Sequence, residues 1–100
     1  MKKPIFITVP FWSPVPWYGF GAITLYPFIL FRSGRNTEQR TRRHELIHFW
    51  QVSKDGWFRF YLTYLWAAMR LPYREIPAEI EAYAHEEDEE YLPASLEQYV

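Results

Sequence analysis

His44-Glu45-Leu46-Ile47-His48 is the stretch of this chain whose residue types and spacing can do chemistry. On a helix, residues four apart share a face, so His44 and His48 offer two imidazoles one turn apart to a single ion. Glu45, three residues before His48, flanks that face without competing for the same position. This is the H-E-x-x-H arrangement, in which two histidines hold zinc and the glutamate acts as a general base. The chain has only three histidines, and two of them fall here. The bland alternative is chance recurrence of five residues on a solvated helix face.

The motif needs a helix, and the flanking residues predict one. Ser33-Gly34-Arg35-Asn36 reads as a turn, with Asn36 as helix cap and Gln39 completing a capping box. The helix then runs from about Thr37 to Ser53 and stops near Asp55-Gly56. Leu46, Phe49, Trp50 and Val52 fit helical apolar spacing, widened by Ile47. Other positions of this helix therefore supply core, which leaves the two histidines available as ligands.

A catalytic zinc normally has three protein ligands and an open position. The third must come from elsewhere, and a later helix carries the candidates. Pro77 suits the first turn of a helix running through Ala78-Glu79-Ile80-Glu81-Ala82-Tyr83-Ala84-His85 to about Glu90. Glu79, Glu81 and His85 are its possible ligands. Glu79 shares a face with Tyr83, with the small Ala82 between them, while Glu81 and His85 share another. Spacing alone leaves both pairs open.

His44-Glu45-Leu46-Ile47-His48, followed by Glu79-Ile80-Glu81-Ala82-Tyr83 on a later helix, resembles the gluzincin metallopeptidases. The closest likeness is to their soluble minimal forms, the minigluzincins, and it covers residues 20–86. The resemblance implies a zincin-like α+β domain in which His44, His48 and Glu79 hold Zn2+ and Glu45 is the catalytic base. It also implies an edge strand, within Ala22–Phe31, that holds an extended peptide or protein substrate. Tyr83 stands where the integral-membrane branch commonly has an aspartate that hydrogen-bonds a ligand histidine. The donor that helps zinc to stabilise the oxyanion stays open among Tyr83, His85, Tyr91 and Arg74.

The remaining elements frame that site. Residues 1–20 are aromatic and proline-rich (Pro4, Pro10, Pro14, Pro16; Trp12, Trp17, Tyr18). They predict an extended segment with a short strand at Ile5–Val9. Residues 22–32 are β-branched and aromatic between Gly21 and Gly34, and predict a strand or two strand halves. Pro27 places that strand at a sheet edge or marks a bulge. Trp57 to Arg70 is apolar nearly all round and predicts a buried, central packing helix, any leftover apolar patch serving self-association. Pro72 and Tyr73 end it.

Composition narrows the classes. One hundred residues predict one domain, in which aromatics, 21% of the chain, raise the area buried per residue. Without cysteine there is no disulfide scaffold, thiolate nucleophile or thiolate metal site. No leader pattern opens the chain, and a cytoplasmic location is expected. The most apolar run, Phe60 to Met69, is about half the roughly 20 residues that a membrane span requires. Residues 1–84 carry all 11 Lys and Arg with six acids, a balance of +5, whereas 85–100 carry −6. The basic surplus lacks any base-stacking or glycine-spaced signature of nucleic-acid binding. The acidic tail, 87–100, reads as a solvated stretch whose last residues, Ala94–Val100, are expected in or near the cleft, holding an enzyme latent. Three classes follow: a zinc endopeptidase, a zincin-like binding or regulatory module, and a peripheral membrane or partner-docking domain using Trp57–Arg70.

Overall fold

A computed structural model describes residues 3–10, 21–34 and 37–100. Most of the aromatic, proline-rich segment (11–20) and the expected cap Asn36 lie outside the described residues. The chain folds as an α+β domain with a three-stranded sheet and four helices among the described residues.

The sheet is built from β1 (Ile5–Val9), β2 (Ala22–Leu25) and β3 (Phe28–Arg32) in the order β1-β3-β2. β1 runs parallel to β3, and β2 returns antiparallel to it. The stretch 22–32 is thus two strand halves, and Pro27 sits in the tight turn between them. Among the described residues β2 has one strand neighbour, β3, and so forms an edge of the sheet. Alternation buries Ile29 and Phe31 on the inner face and leaves Ile5, Leu25 and Phe28 on the outer one.

Helix α1 (Gln39–Asp55) is the centre of the domain and packs against β2 and all three other helices. Its Leu46, Ile47, Phe49 and Val52 are fully buried. Glu38, not Asn36, occupies the cap position, two residues later than expected. At the far end Gly56, with φ of 87°, donates its N–H to Val52 O and reverses the chain. That positive φ suits glycine alone without strain.

Helix α2 (Trp57–Ala68) corrects the expectation of a buried packing helix. Only Phe60 is buried, while Phe58, Leu62, Leu65, Trp66 and Met69 stay largely exposed. α1 already fills the central role, and among the described residues no further layer covers the outer side of α2. A 3-10 turn (Tyr73–Glu75) then leads into α3 (Pro77–His85). α3 stops at His85, five residues short of the expected end. Continuing would stack the acids 86–90 at the negative end of the helix dipole and at like-charged i, i+4 spacings.

The short helix α4 (Ala94–Glu97) closes the far side of α1. Leu96 is buried in the main core, Glu97 pairs with buried Arg43 at 2.6 Å, and Tyr99 O accepts from Arg42 Nη2 at 2.6 Å. The carboxy-terminal residues are therefore part of the core.

Candidate metal centre

The helical spacing of α1 brings His44 and His48 to one side, facing α3. Their rings lie 4.9 Å apart, and both residues are buried. Opposite them stands Glu79, the first-turn acid of α3, itself 3% exposed. His44 Nε2 and His48 Nε2 each lie 3.1 Å from the same oxygen, Glu79 Oε1. Ala82, fully buried, lets α3 approach α1 this closely. Among the described residues, His44, His48 and Glu79 form the group able to hold a metal ion, with ligand atoms within 4.8 Å of one another. The alternatives drop out by geometry. Glu81 is taken by Gln51 and Tyr91, and His85 stacks on Tyr91 with ring centres 3.7 Å apart.

The outer nitrogens of the two rings decide what the inner ones can do. Gln51 donates through Nε2 to Ala78 O (3.0 Å) and Glu81 (2.6 Å), which fixes its amide orientation. Its Oε1 therefore faces His48 Nδ1 at 2.8 Å as an acceptor, and that nitrogen must carry the hydrogen. Likewise, the Glu86 carboxylate accepts from His44 Nδ1 at 2.7 Å. Neutral imidazoles held this way turn two Nε2 lone pairs onto a carboxylate oxygen. Three electron-rich atoms in buried contact repel unless protons or a cation lie among them. Two imidazole nitrogens and one carboxylate oxygen make a donor set suited to zinc, and the outer bonds orient its ligands. The residues fit the ion.

Without a metal, protons fill that role. Burial alone would lower the His48 pKa, but its bond to Glu79, the Glu45 and Glu79 charges and its bond to Gln51 raise it to about 9. Burial alone would raise Glu79, yet the two imidazoles and Tyr64 hold it well below the ordinary carboxylate range. The signs are opposite. His48 contributes stability below its ordinary pKa of 6.5 that is lost as pH rises through about 9. Glu79 contributes stability above its ordinary 4.5 that is lost as pH falls through its depressed value. The metal-free protein is expected to be most stable between pH 4.5 and 6.5 and to lose thermal midpoint toward pH 9. A zinc ion held here would take the place of the proton, and protein loaded with it is then expected to hold its midpoint across that alkaline limb. Melting curves at stepped pH, with chelator and with zinc, test this.

Second partners complete the cluster. Tyr64 of α2 donates to Glu79 Oε2 at 2.6 Å, and burial followed by that carboxylate pushes its pKa up, so it stays a donor. Thr24 of β2 donates to Glu45 Oε1 at 2.8 Å, aiming the carboxylate beside the histidines. Tyr83 packs edge-on against the His44 ring at 4.6 Å. The carboxylate that holds the His44 ring is thus Glu86, two helical turns beyond Glu79, and not the residue at position 83. Tyr73, which the sequence did not single out, packs edge-on against Tyr83 with ring centres 6.1 Å apart and lines the same cavity as Glu79. Glu86→Gln and Gln51→Leu are each expected to weaken zinc binding about 10–100-fold, read by chelator competition.

Two cavities meet at this centre. One, of about 290 Å³, is apolar and lies between β2 and α2, lined by Ile23, Leu25, Phe60, Tyr61 and Tyr64. The other, of about 370 Å³, is polar and lined by Arg40, Thr41, Arg74, Tyr83 and Glu86. Both reach Ala22, Glu45 and Tyr73, so Glu45 stands where they join. No residue of 87–100 lines either cavity, which corrects the expectation of a tail lying in the cleft. Packing explains the correction, since Leu96 and Glu97 are already engaged by α1.

No protein-family model, no curated protein and no solved structure matches this chain.

Proposed function

We propose that the protein is a zinc-dependent peptidase that acts on extended peptide. One observation carries the reading: two orientation-locked imidazoles and a carboxylate converge on one point, with Glu45 poised beside them at a cleft. His44, His48 and Glu79 would hold the ion. Zinc supplies a Lewis acid that acidifies water to a pKa of roughly 7 and shares charge developing on the scissile carbonyl.

This chain's residues do the rest. Glu45 takes the proton from the attacking water and returns it to the leaving amine, with Thr24 keeping its carboxylate aimed. Tyr73 is the better candidate for the second oxyanion donor than any of Tyr83, His85, Tyr91 or Arg74. Burial, with Tyr83 and Glu79 beside it, pushes its pKa up, so it remains a proton donor, and it reaches both cavities. His85 and Tyr91 stack on each other outside both cavities.

The edge of β2 is the natural bed for the peptide. The bond from Arg32 N to Gly21 O puts the Gly21, Ile23 and Leu25 main chain toward β3, and that of Ala22 and Thr24 away from it. Tyr61 already caps part of this edge, donating to Thr24 O and accepting from Tyr26 N. A peptide added as a strand thus pairs beside Ala22, next to Glu45. The cysteine-free composition fits a reducing, cytoplasmic setting.

The test is cleavage of a mixed peptide library by zinc-loaded protein, read by mass spectrometry, with a chelator-treated control. Cleavage that needs zinc supports the reading. Zinc bound without any cleavage would leave a zincin-like binding module with a structural metal.

A further inference from the structure

Helix α2 carries two apolar stripes, and the site uses only one. Phe60, Tyr61 and Tyr64 face inward to the cavity and Glu79. Phe58, Leu62, Leu65, Trp66 and Met69 follow i, i+4, i+7, i+8 and i+11, a continuous stripe on the opposite side. They are exposed by 66, 58, 58, 58 and 74%. Five large apolar side chains open to water on three turns of helix are a docking surface, not scatter.

The charges around the stripe say what it meets. From Gly56 to Leu71 the chain has no acid, while Arg59 and Arg70 are basic. On the helical wheel Arg59 and Arg70 fall together along one margin of the stripe, next to Trp66, and the Arg70 guanidinium sits 4.1 Å over the Trp66 ring. The five consecutive acids, 86–90, lie past the far end of α3, whose first turn is the part nearest α2. An apolar stripe rimmed by arginine and tryptophan suits the boundary between lipid headgroups and acyl chains. Among the described residues no helix is long and apolar enough to cross a membrane, so the contact would lie along its surface. A second copy fits less well. Twelve residues of helix present a footprint about 18 Å long and roughly 10 Å wide, small against the roughly 800 Å² per partner of a stable dimer.

We propose that the outer stripe of α2 docks the domain on an anionic lipid surface, burying Phe58, Leu62, Leu65, Trp66 and Met69 with Arg59 and Arg70 at the headgroups. The inference is independent of the peptidase reading.

Sedimentation of the full chain with phosphatidylcholine vesicles, with and without phosphatidylserine, tests it. Binding is expected to the phosphatidylserine vesicles and to weaken as salt rises. Arg59→Gln with Arg70→Gln should weaken it about thirtyfold, since each basic residue near such a surface is worth about fivefold. Leu62→Ser with Leu65→Ser should abolish it while circular dichroism and zinc content stay as in the wild type. Three results would overturn the proposal. One is no binding to either vesicle, and another is binding indifferent to both double variants. The third is a stable dimer in light scattering that Leu62→Ser with Leu65→Ser dissociates, which would give the stripe to a second copy.

Discussion

Glu45→Gln protein is expected to bind zinc as the wild type does and to hydrolyse peptides about 10²–10⁴-fold more slowly. The size follows from what the substitution removes. Glutamine keeps the shape of the side chain and an oxygen that can still accept from Thr24, now 2.8 Å from Glu45 Oε1. It cannot take a proton from water. A loss of that size corresponds to about 3–5 kcal/mol of activation free energy. Glu45 is absent from the ligand group formed by His44, His48 and Glu79, so zinc content should not move. Steady-state kcat/KM and elemental analysis, run on the same preparation, make the check. Wild-type rates in the variant would remove Glu45 from the chemistry. Loss of zinc alongside activity would make Glu45 a support of the metal rather than a base.

The parts of the fold that sequence made legible are those fixed by local periodicity. The 3.6-residue repeat puts His44 and His48 on one face wherever the helix packs, and Pro77 opens α3 as proline does at a first helical turn. The strands at 5–9 and 22–32 follow from side-chain type and from Pro27. What was not legible depends on partners far away in the chain. Glu79 rather than Glu81 faces the two histidines, while Glu81 is held by Gln51, three residues beyond His48, and by Tyr91. Gln51 and Glu86 did leave a signal, at i+3 from His48 and i+7 from Glu79. Thr24, Tyr64 and Tyr73 left none, because each reaches the site from a different element. The exposure of α2 has a related cause. An all-round apolar pattern states what a helix could bury and is silent on how many layers the domain has to cover it.

Metal addition is expected to give the largest change in stability. A ligand that binds only the folded state at a thousandfold its dissociation constant adds about 4 kcal/mol. In a domain of this size each kcal/mol moves the thermal midpoint by about 4–8 °C, so zinc should raise it by about 15–30 °C. The candidate site suits such binding, since His44 and His48 sit on α1 and Glu79 on α3, and the three come together only on folding. The same geometry predicts the response of His44→Ala. Zinc content should fall from about one per chain to near zero, and the midpoint should no longer depend on zinc. In metal-free protein the substitution also strips Glu79 and Glu86 of a partner, for about 1–3 kcal/mol of destabilisation. These two effects separate cleanly, because only the first disappears when chelator is present. A wild-type chain whose midpoint ignores zinc, and which holds none after supplementation, would mean that His44, His48 and Glu79 are joined by protons alone. The buried cluster would then be a pH-dependent polar network in the core, and the peptidase reading would fall with the metal.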